Sequence, residues 1–323
     1  NIFIGNEAGY YATTGTGNNV AIGQGAGKAF TTTTNSTAIG SYALDALQTV
    51  GSMTAIGAAA LGANSSGYGS TAVGANSLDA NTSGNNNTAV GQNALGANTT
   101  ASDNVAVGTA AGDAITTGAQ NVAIGSGSLG AVTTTTGNVA IGYNALDASA
   151  TGTQNCVAIG TSALGALTAS GSGTTPSIGI GYNALAGATS GTNNIAIGAW
   201  TMDAVVTGVS NVALGNSALT AVTSGGSNTA IGQSAGDALV DGSNNTIIGK
   251  DADAAATNTS NSVTLGNGSI SAIRCQVTTI SALSDRRDKK DIKDLDYGLD
   301  FINTLHPVKF TWNMRDGAKV GIK

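Results

Sequence analysis

The sequence predicts an all-β fold, a repetitive β-solenoid or β-roll of about 16 rungs. A unit such as Asn87-Thr88-Ala89-Val90-Gly91-Gln92-Asn93-Ala94-Leu95-Gly96-Ala97 recurs from residue 1 to about residue 272, and 12 of the 15 intervals between units are 17 residues long. The chain has 48 Gly, with only 9% charged and 4% aromatic residues, which suits a thin core better than one thick globule. Apolar residues return in fixed phase, and a fixed period of this length is typical of stacked repeats.

Each unit is anchored on the glycine that ends an Ala-Ile-Gly core. The 16 anchors are Gly5, Gly23, Gly40, Gly57, Gly74, Gly91, Gly108, Gly125, Gly142, Gly160, Gly181, Gly198, Gly215, Gly232, Gly249 and Gly266. The intervals that are not 17 residues long measure 18, 18 and 21. Because insertions in repeats go to turns, the longest interval predicts an external loop around residues 170–176.

The five residues up to each anchor predict a short strand. In Asn138-Val139-Ala140-Ile141-Gly142, alternation places Val139 and Ile141 on one face and Ala140 on the other. The third position is Ala in 12 of the 16 units, and its exceptions are Phe3, Gly179, Ile247 and Thr264. A small residue held in phase implies that something packs closely against it, and the hypothesis is that a neighbouring chain does so.

A second short segment follows each anchor, such as Ala94-Leu95-Gly96-Ala97, and then a polar turn rich in Thr, Ser, Gly and Asn. Two strands and two turns per unit would make one rung, and 16 rungs at about 4.8 Å would span roughly 75 Å. Asn begins ten of the 16 five-residue cores. Stacked copies of Asn favour an amide ladder along the axis.

Two other architectures are disfavoured. A disordered Gly- and Ser-rich chain has no reason to keep Ile, Val and Leu in phase. A helical repeat of 34 residues would need two helices from units that carry several glycines, and each Gly costs about 1 kcal/mol in a helix.

Aspartates recur on alternate units. The fifth position after the anchor is Asp in four units and Gly in the four units that alternate with them: Asp45, Gly62, Asp79, Gly96, Asp113, Gly130, Asp147 and Gly165. A row of calcium sites is one interpretation, but calcium needs six or more oxygen ligands. Solvated carboxylates held apart to limit repulsion are the favoured interpretation.

Composition excludes several function classes. The net charge is −6, and the acidic repeats lack the basic face expected for nucleic-acid binding. Two cysteines, Cys156 and Cys275, and one histidine, His306, predict neither a metal site nor a cofactor site. No apolar run approaches about 18 residues, so no membrane insertion is predicted. Because Asn1 already lies inside a repeat, we expect an internal fragment or a processed product.

Charge marks the predicted domain boundary, since residues 284–323 hold 16 of the 30 charged residues. We predict a repeat shaft over 1–266, a connecting stem over 267–283, and a small α+β segment over 284–323. Within that segment, apolar spacing predicts a helix over 294–305, which Pro307 ends, and a strand over 308–312.

The repeats resemble the heads of trimeric autotransporter adhesins, in which Asn-x-Val-Ala-Ile-Gly-type units form a trimeric β-roll. The resemblance covers about 270 residues. Physical reasoning also favours association, because a 17-residue rung buries little apolar area at about 25 cal/mol per Å². We therefore expect a homotrimer, with the Ala/Gly face buried between chains.

The C-terminal segment carries Leu283-Ser284-Asp285-Arg286-Arg287-Asp288-Lys289-Lys290-Asp291-Ile292 and, further on, Leu305-His306-Pro307-Val308-Lys309-Phe310-Thr311-Trp312. It resembles the start of the intramolecular chaperone of endosialidase-type phage tailspikes and tail fibres. The resemblance implies trimer assembly followed by self-cleavage between Ser284 and Asp285. Ser284 would be the nucleophile and Lys289 the activating base. An ordinary helix cap followed by a solvated charge run is the alternative.

These resemblances imply a homotrimeric tail fibre of a phage virion that attaches to a host surface receptor, a glycan or an outer-membrane component. No external substrate is expected, so any catalysis is one self-directed cut. A trimeric adhesin on the bacterial cell surface is the alternative. An ice-binding solenoid is a third, weaker one, because the Thr-x-Thr rows that it needs recur poorly.

Overall fold

A computed structural model describes residues 1–13, 17–47, 51–148, 153–167, 176–204 and 206–274, together with the backbone of two short strands near the C-terminus. The chain divides into two compact units, Asn1–Ser271 and Ala272–Lys323. The first unit is a parallel β-solenoid, as the repeat predicts, and the described part of the chain contains no α-helix.

Each repeat contributes one strand of three residues to a single 16-stranded parallel sheet, in which the strands follow one another in sequence order. The strands are β1 (Ile2–Ile4), β2 (Val20–Ile22), β3 (Thr37–Ile39), β4 (Thr54–Ile56), β5 (Thr71–Val73), β6 (Thr88–Val90), β7 (Val105–Val107), β8 (Val122–Ile124), β9 (Val139–Ile141), β10 (Val157–Ile159), β11 (Ile178–Ile180), β12 (Ile195–Ile197), β13 (Val212–Leu214), β14 (Thr229–Ile231), β15 (Thr246–Ile248) and β16 (Val263–Leu265). Equivalent residues pair throughout, for example Ala89 with Ala106. The 18- and 21-residue intervals leave this register unchanged, since Val157 still pairs with both Val139 and Ile178.

The anchor glycine turns the chain out of the strand. Gly74 has a φ of 136°, a conformation that L side chains rarely adopt. A Cβ on Gly74 would lie 2.5 Å from the carbonyl oxygen of Gly91 in the next unit. Both the backbone angle and the close stacking of units therefore require glycine here.

The prediction of a second strand in each unit is wrong. The segment after the anchor is a run of overlapping turns: the N–H of Ala94 donates to Gly91 O at 3.3 Å, that of Gly96 to Asn93 O at 3.1 Å, and that of Asn98 to Leu95 O at 3.1 Å. Asn93 and Leu95 adopt positive φ angles of 57° and 52°. Residues in this left-handed conformation cannot continue a strand.

The row of small residues at the middle of the strands faces the inside of the chain's own solenoid. Ala89, Ala106 and Ala140 are fully buried within the single chain. They pack against the leucine row, which consists of the leucines four residues after the anchor glycines, such as Leu95 and Leu164. At the equivalent position of β11, a Cβ on Gly179 would lie 3.2 Å from Leu164 Cγ. The hypothesis that a neighbouring chain covers the Ala face is therefore wrong, because this face is already filled from within.

Two of the exceptions in the Ala row are explained by packing. Ile247 is buried opposite Gly236, where most units carry Leu, and a Cβ on Gly236 would lie 3.0 Å from Ile247 Cδ1. Phe3 lies against Gly9 in the same way, since a Cβ there would be 2.7 Å from the Phe3 ring. A larger residue in the strand is thus matched by glycine in the turn segment that packs against it.

The predicted asparagine ladder is present and buried. Asn104 Oδ1 accepts the backbone N–H of Asn121 at 2.9 Å, and the Asn121 amide nitrogen donates to Asn104 Oδ1 at 3.2 Å and to Thr135 O at 3.0 Å. Asn194, Asn211 and Asn228 repeat these contacts. Each amide thus satisfies backbone groups in two neighbouring units and fixes their register.

In the second unit, the described strands β17 (Trp312–Asn313) and β18 (Lys319–Val320) pair antiparallel. The helix predicted over 294–305 lies outside the described residues, as does the strand predicted over 308–312 apart from its last residue.

Candidate functional site

The outer face of the 16-stranded sheet carries two parallel rows of side chains, at the first and third positions of each strand. In β9 these are Val139 and Ile141, which are half-buried while Ala140 between them is fully buried. The third-position row is apolar in every strand and includes Val107, Ile124 and Leu214, which are 37%, 37% and 45% exposed. An apolar strip of this length on a single chain is typical of an interaction surface.

The composition of the outer face changes along the axis. From β7 to β13 the first position is always Val or Ile: Val105, Val122, Val139, Val157, Ile178, Ile195 and Val212. From β3 to β6, and in β14 and β15, it is Thr: Thr37, Thr54, Thr71, Thr88, Thr229 and Thr246. The middle of the outer face is therefore more apolar than its two flanks.

The size of the outer face fits a protein–protein interface. Sixteen strands at about 4.8 Å and three residues at about 3.3 Å give a strip of roughly 75 by 10 Å, or about 750 Å². A standard interface buries about 800 Å² on each partner. The outer face alone is thus large enough for a stable contact with another protein.

The aspartates of alternate units lie over the glycines of the units that follow them. Asp45 Oδ1 would be 3.6 Å from a Cβ on Gly62, and Asp79 Oδ1 would be 3.6 Å from a Cβ on Gly96. Each of these carboxylates therefore lies at ordinary van der Waals distance from the glycine position of the next unit.

Burial raises the pKa of these carboxyl groups. Desolvation is the largest cause for Asp45, Asp79, Asp113 and Asp147, and it outweighs the lowering effect of nearby backbone N–H groups. Asp203 and Asp237, at the same position of later units, are shifted in the same direction. Among the residues that the structure describes, no three His, Cys, Asp or Glu side chains are grouped so that they could hold a metal ion.

The predicted self-cleavage residues, Ser284 and Lys289, lie outside the described residues, so their geometry stays a prediction. Sequence reasoning missed one exposed feature, the aromatic side chains Tyr143, Tyr182 and Trp200, which follow the anchor glycines of units nine, eleven and twelve. Their positions, one or two residues after the anchor glycines, were the signal that could have found them. Within the described ranges, no helix is long and apolar enough to cross a bilayer.

Comparison with known proteins gives one match. Residues 284–322 match the family described as chaperone of endosialidase. No curated protein matches the chain, and no solved structure matches it. The matched residues begin at Ser284, where the sequence places the start of its charged segment.

The match and the solenoid together indicate a fibre-like protein that carries an intramolecular chaperone segment near its C-terminus. A chaperone of this kind implies that the chain associates with copies of itself as a trimer.

Proposed function

We propose that this chain is the shaft of a homotrimeric bacteriophage tail fibre, with a C-terminal chaperone segment that directs trimer assembly and then cuts itself off. The fibre would lie outside the cell, on the virion, and attach it to a receptor on the host surface. The observation that carries the proposal is the chaperone-of-endosialidase match over 284–322, directly downstream of a long β-solenoid. A trimeric adhesin of the bacterial surface has no comparable support.

The outer face of the sheet is the proposed contact between the three chains. The inner Ala row is already covered by the chain's own leucines, whereas the outer Val and Ile rows are partly exposed. A second copy of the chain presents the same spacing of about 4.8 Å between units, so its rows can match these along the whole axis. A partner without this period could match them only locally. Burying about 750 Å² per face at about 25 cal/mol per Å² offsets the cost of association.

Paired substitutions test this interface in the full chain. An aspartate for Val139 in the apolar middle would place an unpaired charge between chains, so we expect Val139→Asp to convert the trimer to monomer in sedimentation velocity. The exposed turn residue Thr100 serves as the control, and Thr100→Asp should stay trimeric. Val139→Thr, which copies the flanking units, should weaken the trimer without unfolding the chain.

Circular dichroism separates dissociation from misfolding. A Val139→Asp variant that is folded and as trimeric as the unmodified chain would exclude the outer face as the interface. An unmodified chain that sediments as a folded monomer would contradict the trimer itself.

The proposed self-cleavage is hydrolysis of the peptide bond between Ser284 and Asp285. Lys289, in its neutral form, would accept the hydroxyl proton of Ser284 and so activate it. One water molecule is consumed, the carbonyl carbon of Ser284 ends as a carboxylate, and Asp285 gains a free amino group. The family match over 284–322 supports these roles.

Mass spectrometry of the expressed product tests the cut. We expect a shaft fragment that ends at Ser284 from the unmodified chain, and an intact chain from both Ser284→Ala and Lys289→Ala. Lys290→Ala is the matched control and should still be cut. Cleavage of the Ser284→Ala chain at the same bond would refute the assigned nucleophile.

A further inference from the structure

Three aromatic side chains form an exposed row at one edge of the sheet. They belong to the aromatic corner, which we define as the first two residues after the anchor glycine in units nine to twelve. These residues are Tyr143, Asn144, Thr161, Ser162, Tyr182, Asn183, Ala199 and Trp200. Tyr143, Tyr182 and Trp200 are 58%, 48% and 45% exposed. Side chains of this size cover a large area when a ligand lies on them.

Hydrogen bonds between units hold the aromatic corner in register. The N–H of Ser162 donates to Tyr143 O at 2.9 Å, that of Asn183 to Thr161 O at 3.0 Å, and that of Trp200 to Tyr182 O at 2.9 Å. Tyr143 and Tyr182 therefore stand two rungs apart, about 9.6 Å along the axis. Because the backbone beneath them is fixed, the row loses little conformational freedom when it binds a ligand.

The Tyr182 and Trp200 rings pack edge to face. Their centroids are 5.2 Å apart and their planes are inclined by 79°. In this arrangement each ring supports the other, and both keep nearly half of their surface open to solvent. The pair and Tyr143 thus give two aromatic platforms with Thr161 between them.

The polar groups around the platforms are neutral. Asn144, Ser162 and Asn183 are half-buried and alternate with the aromatic residues, and no residue of the aromatic corner carries a charge. Amides and hydroxyls both donate and accept hydrogen bonds. Such a surface suits a neutral ligand that has apolar faces and a rim of hydroxyl groups, which is the chemistry of pyranose sugars.

We propose that the aromatic corner binds a neutral oligosaccharide that lies along the shaft axis. One sugar ring packs on Tyr143 and another on the Tyr182–Trp200 pair, while hydroxyl groups bond to Asn144, Ser162 and Asn183. This inference rests on the proposed attachment function and assigns the receptor chemistry to one place on the shaft. The spacing of the two platforms selects a chain of sugars over a single one.

A printed array of neutral bacterial surface oligosaccharides, probed with the full chain, tests the proposal. We expect binding to at least one array sugar, and roughly a tenfold or larger loss of affinity in Tyr182→Ala/Trp200→Ala and in Tyr143→Ala. Tyr42, which is 46% exposed on another unit, is the matched control, and Tyr42→Ala should bind normally. In a Trp312→Phe background Trp200 is the only tryptophan, so the bound sugar should change its fluorescence.

The outcomes separate this site from the fibre itself. Absence of binding to every array sugar would overturn the proposal that the aromatic corner binds an oligosaccharide, and so would binding that survives all the aromatic substitutions. The sedimentation and mass-spectrometry experiments would still test the proposed trimeric fibre. Loss of the trimer in Tyr182→Ala/Trp200→Ala would also overturn the oligosaccharide proposal, since the row would then belong to the contact between chains.

Discussion

The inner and outer rows of the sheet come from the same strands, but they accept different side chains. The inner row is Ala in most units and is closed off by the leucines of the turn run. The outer rows vary among Val, Ile, Leu and Thr, and their side chains remain partly exposed. The inner row is thus limited by the space inside one chain, whereas the outer rows have no such limit within the chain. Changes on the inside should therefore alter folding, and changes on the outside should alter association.

The largest expected effect is the loss of an inner leucine. Leu95 is fully buried even though its φ of 52° is unfavourable for Leu, so packing holds it in place. Leu95→Ala should lower the free energy of unfolding by about 2–5 kcal/mol through the cavity it leaves. Ile56→Ala, on the Thr-rich flank of the outer face, should cost about 1 kcal/mol or less because Ile56 is 39% exposed. Urea denaturation of both variants measures the difference.

The second effect is overpacking of the inner row. Ala89 and Thr88 are neighbours in β6, with Ala89 fully buried and Thr88 half-buried on the outer face. Ala89→Leu should destabilise the chain by about 1–3 kcal/mol, since the facing leucine row leaves no room. Thr88→Leu should change its stability by about 0.5 kcal/mol or less. Equal losses in thermal unfolding would refute the distinction between the two faces.

A third, smaller effect concerns two buried asparagines, Asn81 and Asn98, which lie seven residues after the anchor glycines of their units. Asn81 Nδ2 donates to Gly84 O at 3.0 Å, and its Oδ1 accepts the Gly84 N–H at 3.1 Å. The amide of Asn98, at the equivalent position, has no hydrogen-bond partner. Other units place Ile115 and Val132 there.

Asn98→Val should therefore stabilise the chain by about 1 kcal/mol, whereas Asn81→Val should destabilise it by a similar amount. Melting temperatures of the two variants would move in opposite directions. Melting temperatures that shift in the same direction would mean that the Asn98 amide has hydrogen-bond partners, as the Asn81 amide does.

The smallest effect is a pH dependence from the aspartate row. Because burial raises the pKa of Asp113 in the folded chain, the folded state holds this proton more tightly than the unfolded state. Its contribution to stability is thus lost as the pH rises from the ordinary carboxyl pKa through the raised one. Asp113→Asn should stabilise the chain at pH 7 by a few tenths of a kcal/mol, after screening by solvent, and should have no effect at pH 3.

Asp241→Asn, which removes one carboxylate from the exposed surface, is the control for the change in net charge. An Asp113→Asn variant that gains no stability between pH 3 and pH 7 would contradict the role assigned to burial.

Much of the fold follows from the sequence alone. The period, the strand positions and the sharing of one face by Val139 and Ile141 are confirmed, because apolar alternation and glycine spacing determine them. Alternation identifies which residues share a face but does not say which face is inside. Both faces of this strand are apolar, so the inward turn of Ala140 depends on the narrow space that the leucine row leaves.

The second segment could not be predicted, because Leu rarely adopts positive φ. Only the stacked turns and full burial of Leu95 hold it there. The roles of Ser284 and Lys289 stay predictions. The asparagine ladder was predictable, since stacked amides satisfy one another whenever equal units lie in register.

The alternation of carboxylate and glycine along one corner affects how the shaft can change its length. Loss of a single Gly unit from between two Asp units would bring two aspartates onto adjacent rungs, about 4.8 Å apart, where their charges repel. Loss or gain of two units together keeps the pattern, the asparagine ladder and the sheet register unbroken. Genetic recombination among units three to ten should therefore lengthen or shorten this solenoid in steps of two rungs, or about 10 Å.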